Sequence, residues 1–256
     1  METILGQWWN NAAMISELVS SFSLVLFVSF SNIFIKRLRF KSIILSKIIG
    51  PILYGMAGTI SIYLGFYFGS FIDPKTVTSF MSMPFTLIKS IYYNTFNILI
   101  SSILVQTIGS LLGVFIYLKL SKLLIKKSTK KEIALDGLII SHDVSRRFGI
   151  KEFIAQLLLI SILLFVSTDI DFGFSSKGNL YFSIFLIGIL LVIEFYIFQK
   201  WFFFMLSPQL IFSHIIVGYL YGIISMNNLK SFLIQFTIQL SAVCIVSYTE
   251  FILRVN

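Results

Sequence analysis

The stretch KWFFFMLSPQLIFSHIIVGYL, residues 200–220, is apolar throughout, yet Ser207-Pro208 breaks it in the middle. A second stretch, FIDPKTVTSFMSMPF at 71–85, is weakly apolar and is broken by Asp73-Pro74. Non-helical backbone at membrane depth is tolerated only where it is buried in protein or lines a wet cavity. Pro is favoured at the first helical position, and Asp or Ser just before it is a preferred cap. Each stretch therefore reads as a re-entrant half-helix, one starting at Pro74 and the other at Pro208.

Working outward, six longer apolar runs surround these two breaks, at about 14–35, 48–68, 96–118, 152–168, 180–199 and 231–252. A spanning helix takes ~20 residues. The 256 residues thus read as a single membrane domain, with a first repeat over 14–118, a basic connection over 119–151 and a second repeat over 152–252. Trp8 and Trp9 stand ahead of the first run, where interfacial anchors belong. No basic n-region precedes that run, so no cleavable signal is expected.

Composition agrees. Hydrophobic residues make up 57% of the chain and charged ones 12%, too few polar groups to cover a soluble domain. Phe is abundant, at 28 residues, and Gly is limited to 15, so packing through large side chains is expected. Cys244 is the single cysteine, which excludes an intrachain disulfide and a cysteine-based metal cluster. His142 and His214 share no ligand spacing, so neither a metal nor a cofactor is expected. The net charge of +9 comes mainly from two connections beside spans. That distribution points to membrane lipids as partners and not to nucleic acid.

The landmarks recur. Glu17 opens the first span and Glu152 the fourth, and the X-Pro step follows at nearly the same separation in each half. Three spans per half force the halves into opposite orientations. The expected fold is all-α: six transmembrane helices plus two re-entrant half-helices in an inverted three-helix repeat, with a substrate path at the interface of the halves.

At this point the chain resembles the major intrinsic protein family, the aquaporins and glycerol facilitators. GFYFGSFIDPKTVT at 65–78 is similar to the family's first box: Gly65 and Gly69 are in place, and Asp73-Pro74-Lys75 replaces Asn-Pro-Ala. VQTIGSLLGVFIY at 105–117 resembles the family's third helix through Gln106, Gly109, Gly113 and Tyr117. In the second half Glu152 and Gly188 match, and Ser207-Pro208-Gln209 stands at the second box. The resemblance implies an aquaporin-like fold, a homo-tetramer, and buried structural roles for Glu17 and Glu152, which would accept hydrogen bonds from the half-helix loops. It also implies a selectivity constriction in which Leu210 replaces an arginine, Phe195 and Phe204 supply the second-half positions, and Tyr54 or Ile52 comes from the second span. Lys75 either pairs with Asp73 or Glu17 at the pore, or snorkels to the head groups. Glu194 either faces the pore or pairs with Lys200.

The function expected on these grounds is a passive channel or facilitator for small neutral solutes such as water or glycerol, of atypical selectivity, in the cell membrane. No residue constellation suggests an enzyme. The alternative is the membrane subunit of an energy-coupled transporter, with the basic 119–151 segment docking a cytoplasmic partner. Lys and Arg beside the spans place the first and third connections in the cytoplasm and the N-terminus outside, the reverse of what the family resemblance implies.

Overall fold

The computed structural model describes residues 9–74, 83–92, 96–124, 176–198, 207–220 and 226–255, with a few positions between 153 and 161. All regular elements among them are helical: α1 (Asn11–Lys41), α2 (Ile43–Ser70), α3 (Met83–Tyr92), α4 (Leu99–Leu124), α5 (Ser176–Phe198), α6 (Pro208–Leu220) and α7 (Met226–Val255), with one 3-10 turn, Phe96–Ile98, leading into α4. Three of the stretches, Asn11–Leu38, Ile43–Ser70 and Phe96–Ser121, are long and apolar enough to cross a membrane. The chain is a multi-pass helical membrane protein.

Local chemistry sets the helix ends. Asn10 caps α1: its side chain accepts the Ala13 N–H at 3.0 Å. Ser42, in extended conformation, does two jobs. Its own N–H donates to the Leu38 carbonyl at 2.8 Å and closes α1, while its hydroxyl accepts the Leu45 N–H at 3.3 Å and opens α2. One residue thus reverses the chain, and α1 and α2 pack side by side as antiparallel neighbours.

The surface confirms the solvent. Along α2, Ile44, Ile48, Ile52, Met56, Ile60, Tyr63 and Tyr67 form one exposed stripe at helical spacing, and Ile100, Leu104, Ile108 and Leu112 form another along α4. The opposite face of α2 buries small residues instead: Ser46, Gly50, Gly58, Ser61, Gly65 and Gly69. Apolar side chains outside and small or polar ones inside fit lipid, where exposed aliphatic surface costs nothing.

The expectation of packing through large side chains fails at two crossings, α1 with α4 and α2 with α5. A β-carbon at Gly109 of α4 would lie 2.6 Å from the Leu18 carbonyl oxygen of α1, and one at Gly113 would lie 2.8 Å from that of Phe22. Likewise, a β-carbon at Gly55 of α2 would fall 2.3 Å from Val192 Cγ2 of α5, and one at Gly188 would meet Thr59. Gly55, Gly109, Gly113 and Gly188 thus stand where neighbouring helices leave no room for a side chain. Leu24, Val25 and Val28 of α1, Val114 and Tyr117 of α4, and Leu210, Ile211 and Ile215 of α6 fill the main core. Phe30 meets Tyr117 edge-on at 5.4 Å.

The two short helices are interior elements. α3 packs on α7 and α4, and α6 packs on α4 and α7. Of the expected fourth span, only isolated positions are described.

Candidate functional site

Pro208 begins α6 as the sequence predicts, and it does so in a buried position. The Ser207 carbonyl accepts the Leu210 N–H at 3.0 Å and the Ile211 N–H at 3.3 Å, the first bonds of the helix. The buried Ser207 hydroxyl has no hydrogen-bond partner, so Ser207 caps by its backbone and not by its side chain.

In the other half, Asp73 closes α2: its N–H donates to the Gly69 carbonyl at 3.2 Å, and the Ile72 N–H does so at 3.0 Å. The half-helix expected from Pro74 onward falls on residues 75–82, which lie outside the described residues. Asp73 is half-buried, Pro74 is exposed in the same turn, and Lys75 lies outside the described residues. The short helix that the described residues show begins at Met83, with Pro84 buried at its second position. Pro fits there because the first-turn N–H groups have no helical partner anyway.

The two short helices meet N-terminus to N-terminus. Gln209, fully buried, accepts the Met83 N–H through its side-chain oxygen at 3.4 Å, a long bond. A first-turn donor of α3 is thus satisfied by a side chain from the first turn of α6. Met has no capping atom of its own, so the acceptor must come from elsewhere in the fold.

Buried polar side chains of the spanning helices hold both short helices. On α4, the Gln106 amide donates to the Glu17 carboxylate of α1 at 2.9 Å and to the Thr86 hydroxyl of α3 at 2.7 Å. Glu17 and Gln106 have no exposed surface. On α1, Ser29 shares a 3.3 Å hydrogen bond with His214 Nε2 of α6, and His214 is likewise fully enclosed. One turn further along α1, Asn32 accepts a hydrogen bond from the Tyr54 hydroxyl of α2. Tyr54 is half-buried and turned inward, whereas Ile52 is 41% exposed on the outer stripe.

Leu210 has no exposed surface and sits in the main apolar core. The position where the resemblance places a cationic donor is therefore a packing residue. Gly65 and Gly69 are buried on the inner face of α2, and Gly109 and Gly113 make the close crossing with α1. Phe195 and Glu194 belong to α5. Glu152 and Phe204 lie outside the described residues.

Sequence reasoning passed over Thr86, Pro84, Ser29 and Asn32, and weighed His214 only as a metal ligand. Met83-Pro84 is itself an X-Pro step inside the quoted stretch, but Met offers no capping signal. Serine hydroxyls in apolar helices carry none either, because most bond back to their own helix, as Ser23 does to the Val19 carbonyl at 2.6 Å. No group of three or more His, Cys, Asp or Glu side chains comes together among the described residues. Comparison with protein-family models, with curated proteins and with solved structures finds no match in any of the three.

Proposed function

We propose that the chain is a passive membrane facilitator for small neutral solutes such as water or glycerol, built from six spans and two half-helices and assembled as a homo-tetramer. The observation that carries this reading is the Gln209–Met83 junction, where two interior short helices point their N-termini at one another. Each helix N-terminus bears about half a positive charge from its aligned peptide dipoles. Two such ends facing one point repel cations and favour the oxygen of a neutral dipolar solute.

The supports are rigid. Glu17, Gln106 and Thr86 lock α3, and Ser29 with His214 locks α6, so the junction is held by hydrogen bonds to spanning helices. The absence of a cationic donor at Leu210 and the presence of the larger Gln209 at the junction argue for selectivity unlike that of an ordinary water channel. The direct test is stopped-flow light scattering on proteoliposomes challenged with water, glycerol and urea gradients, with ion conductance measured in planar bilayers. Permeability to a neutral solute above protein-free vesicles, without ion current, is the expected result. If no neutral solute moves, the channel reading fails and the transporter-subunit reading takes its place.

A further inference from the structure

The bond between Glu17 and Gln106 has a counterpart one helical turn further on. α1 and α4 run in the same direction where they cross, since a β-carbon at Gly109 would meet the Leu18 carbonyl oxygen and one at Gly113 would meet that of Phe22. One turn on from Glu17 stands Ser21, and one turn on from Gln106 stands Ser110. The β-carbon of Ser21 lies 3.3 Å from the place of a β-carbon at Gly109, the residue before Ser110. The register that pairs a carboxylate with an amide thus puts two serines on facing turns.

Both serines are buried, and neither hydroxyl has a hydrogen-bond partner. Other serines of these helices bond back to their own backbone: Ser20 donates to the Glu17 carbonyl at 3.1 Å, Ser23 to that of Val19 at 2.6 Å and Ser121 to that of Leu118 at 3.0 Å. The side-chain oxygen of Gln106 is a third buried atom without a partner. Its direction follows from its neighbours. A carboxylate only accepts, so the amide nitrogen turns to Glu17 and also donates to Thr86, and Oε1 points away from both. Oε1 belongs to the same face of α4 as Ser110. Three oxygens therefore lie within one helical turn of a buried carboxylate. Buried polar groups in native proteins have partners, and an ion or a water serves where the chain does not.

We propose that Ser21, Gln106 and Ser110, beside the Glu17 carboxylate, form a binding site for a monovalent alkali cation such as sodium, and that this ion ties α1 to α4. Hydroxyl and carbonyl oxygens suit a hard cation, and the absence of histidine and cysteine from the cluster sets it apart from a transition-metal site. Three neutral oxygens and one carboxylate match a single positive charge. A divalent ion draws its affinity from more ligand charge than this. Glu17 acts here through its charge, which a bond to a neutral amide does not cancel, and none of its lone pairs need be unoccupied. Water would satisfy the same three oxygens, but only a cation is also attracted by the carboxylate. The site belongs to the α1–α4 crossing, so it stands whatever the pore carries.

The test is thermal unfolding of the full chain in detergent, in sodium chloride and in choline chloride of equal ionic strength, so that general screening is the same in both. Wild type is expected to unfold several degrees higher in sodium, with a shift that saturates as the concentration rises, because the ion binds the folded state alone. Ser21→Ala combined with Ser110→Ala deletes two hydroxyls that have no protein partner, so the variant should fold at least as well as wild type in choline. Its midpoint should then be the same in both salts, and it should retain no radioactive sodium in a filter-binding assay in which wild type does. A double-alanine variant that keeps the full sodium response overturns the proposal. A wild-type midpoint that is equal in the two salts overturns it too. That result would leave the three oxygens to water and the charge of Glu17 to Lys89, three residues after Thr86 on α3.

Discussion

The side-chain amide of Gln106 donates to the Glu17 carboxylate at 2.9 Å, and neither residue has any surface outside the protein. A buried carboxylate is costly unless donors surround it, so this bond fixes the register of α1 against α4. The same amide reaches Thr86, and the register extends to α3.

Gln106→Ala removes a hydrogen bond to a charged acceptor, and its expected cost is about 2–3 kcal/mol. Thr86→Val removes only a neutral partner and should cost about 1 kcal/mol. Thermal unfolding in detergent measures both. Equal losses would mean that Glu17 does not depend on Gln106.

The glycine crossings make a contrast within one protein. Gly109→Ala drives a methyl group onto the Leu18 carbonyl and should destabilise by about 1–3 kcal/mol. Gly50→Ala meets only the Ile35 side chain, at 3.5 Å, and should be near neutral. Folded yield by size exclusion and the unfolding midpoint of each variant decide the matter. Comparable behaviour of the two would refute the close approach of α1 and α4.

Leu210 sits in the core, so restoring a charge there does not restore a pore. Leu210→Arg buries an unpaired cation and should cost about 3–5 kcal/mol, enough to prevent recovery of folded protein. Leu210→Met keeps the volume and should cost less than about 1.5 kcal/mol. A well-folded Leu210→Arg protein with raised water permeability would instead place this position in the path.

Gln209→Ala takes away the side chain that bridges the two short helices. It should raise neutral-solute flux in proteoliposomes several-fold, at a stability cost of about 1 kcal/mol from the lost Met83 bond. Unchanged flux at matched protein incorporation would remove Gln209 from the path.

Much of the frame was legible because lipid imposes simple rules. The apolar runs at 14–35, 48–68 and 96–118 lie inside α1, α2 and the helical stretch ending in α4, and Ser207-Pro208 marks the true start of α6. Glu17 stood out as a carboxylate in an apolar span that recurs at Glu152, and Gln106 stood out through the family resemblance. In the first half, the Asp73 backbone completes the last turn of α2, and the half-helix expected after Pro74 falls outside the described residues. Capping chemistry read along one chain cannot see that Met83 is capped by Gln209, 126 residues away.

The sequence by itself determined that this chain lives in a membrane, where its long helices run, and which side chains were too polar to face lipid. Hydropathy and helix length are local quantities, so they survive without a fold. Tertiary structure alone decided which polar groups meet, because Gln106 with Glu17 and Ser29 with His214 depend on crossings set by Gly109 and Gly113. A glycine marks a possible close approach, and only the packed partner backbone shows that the approach is used.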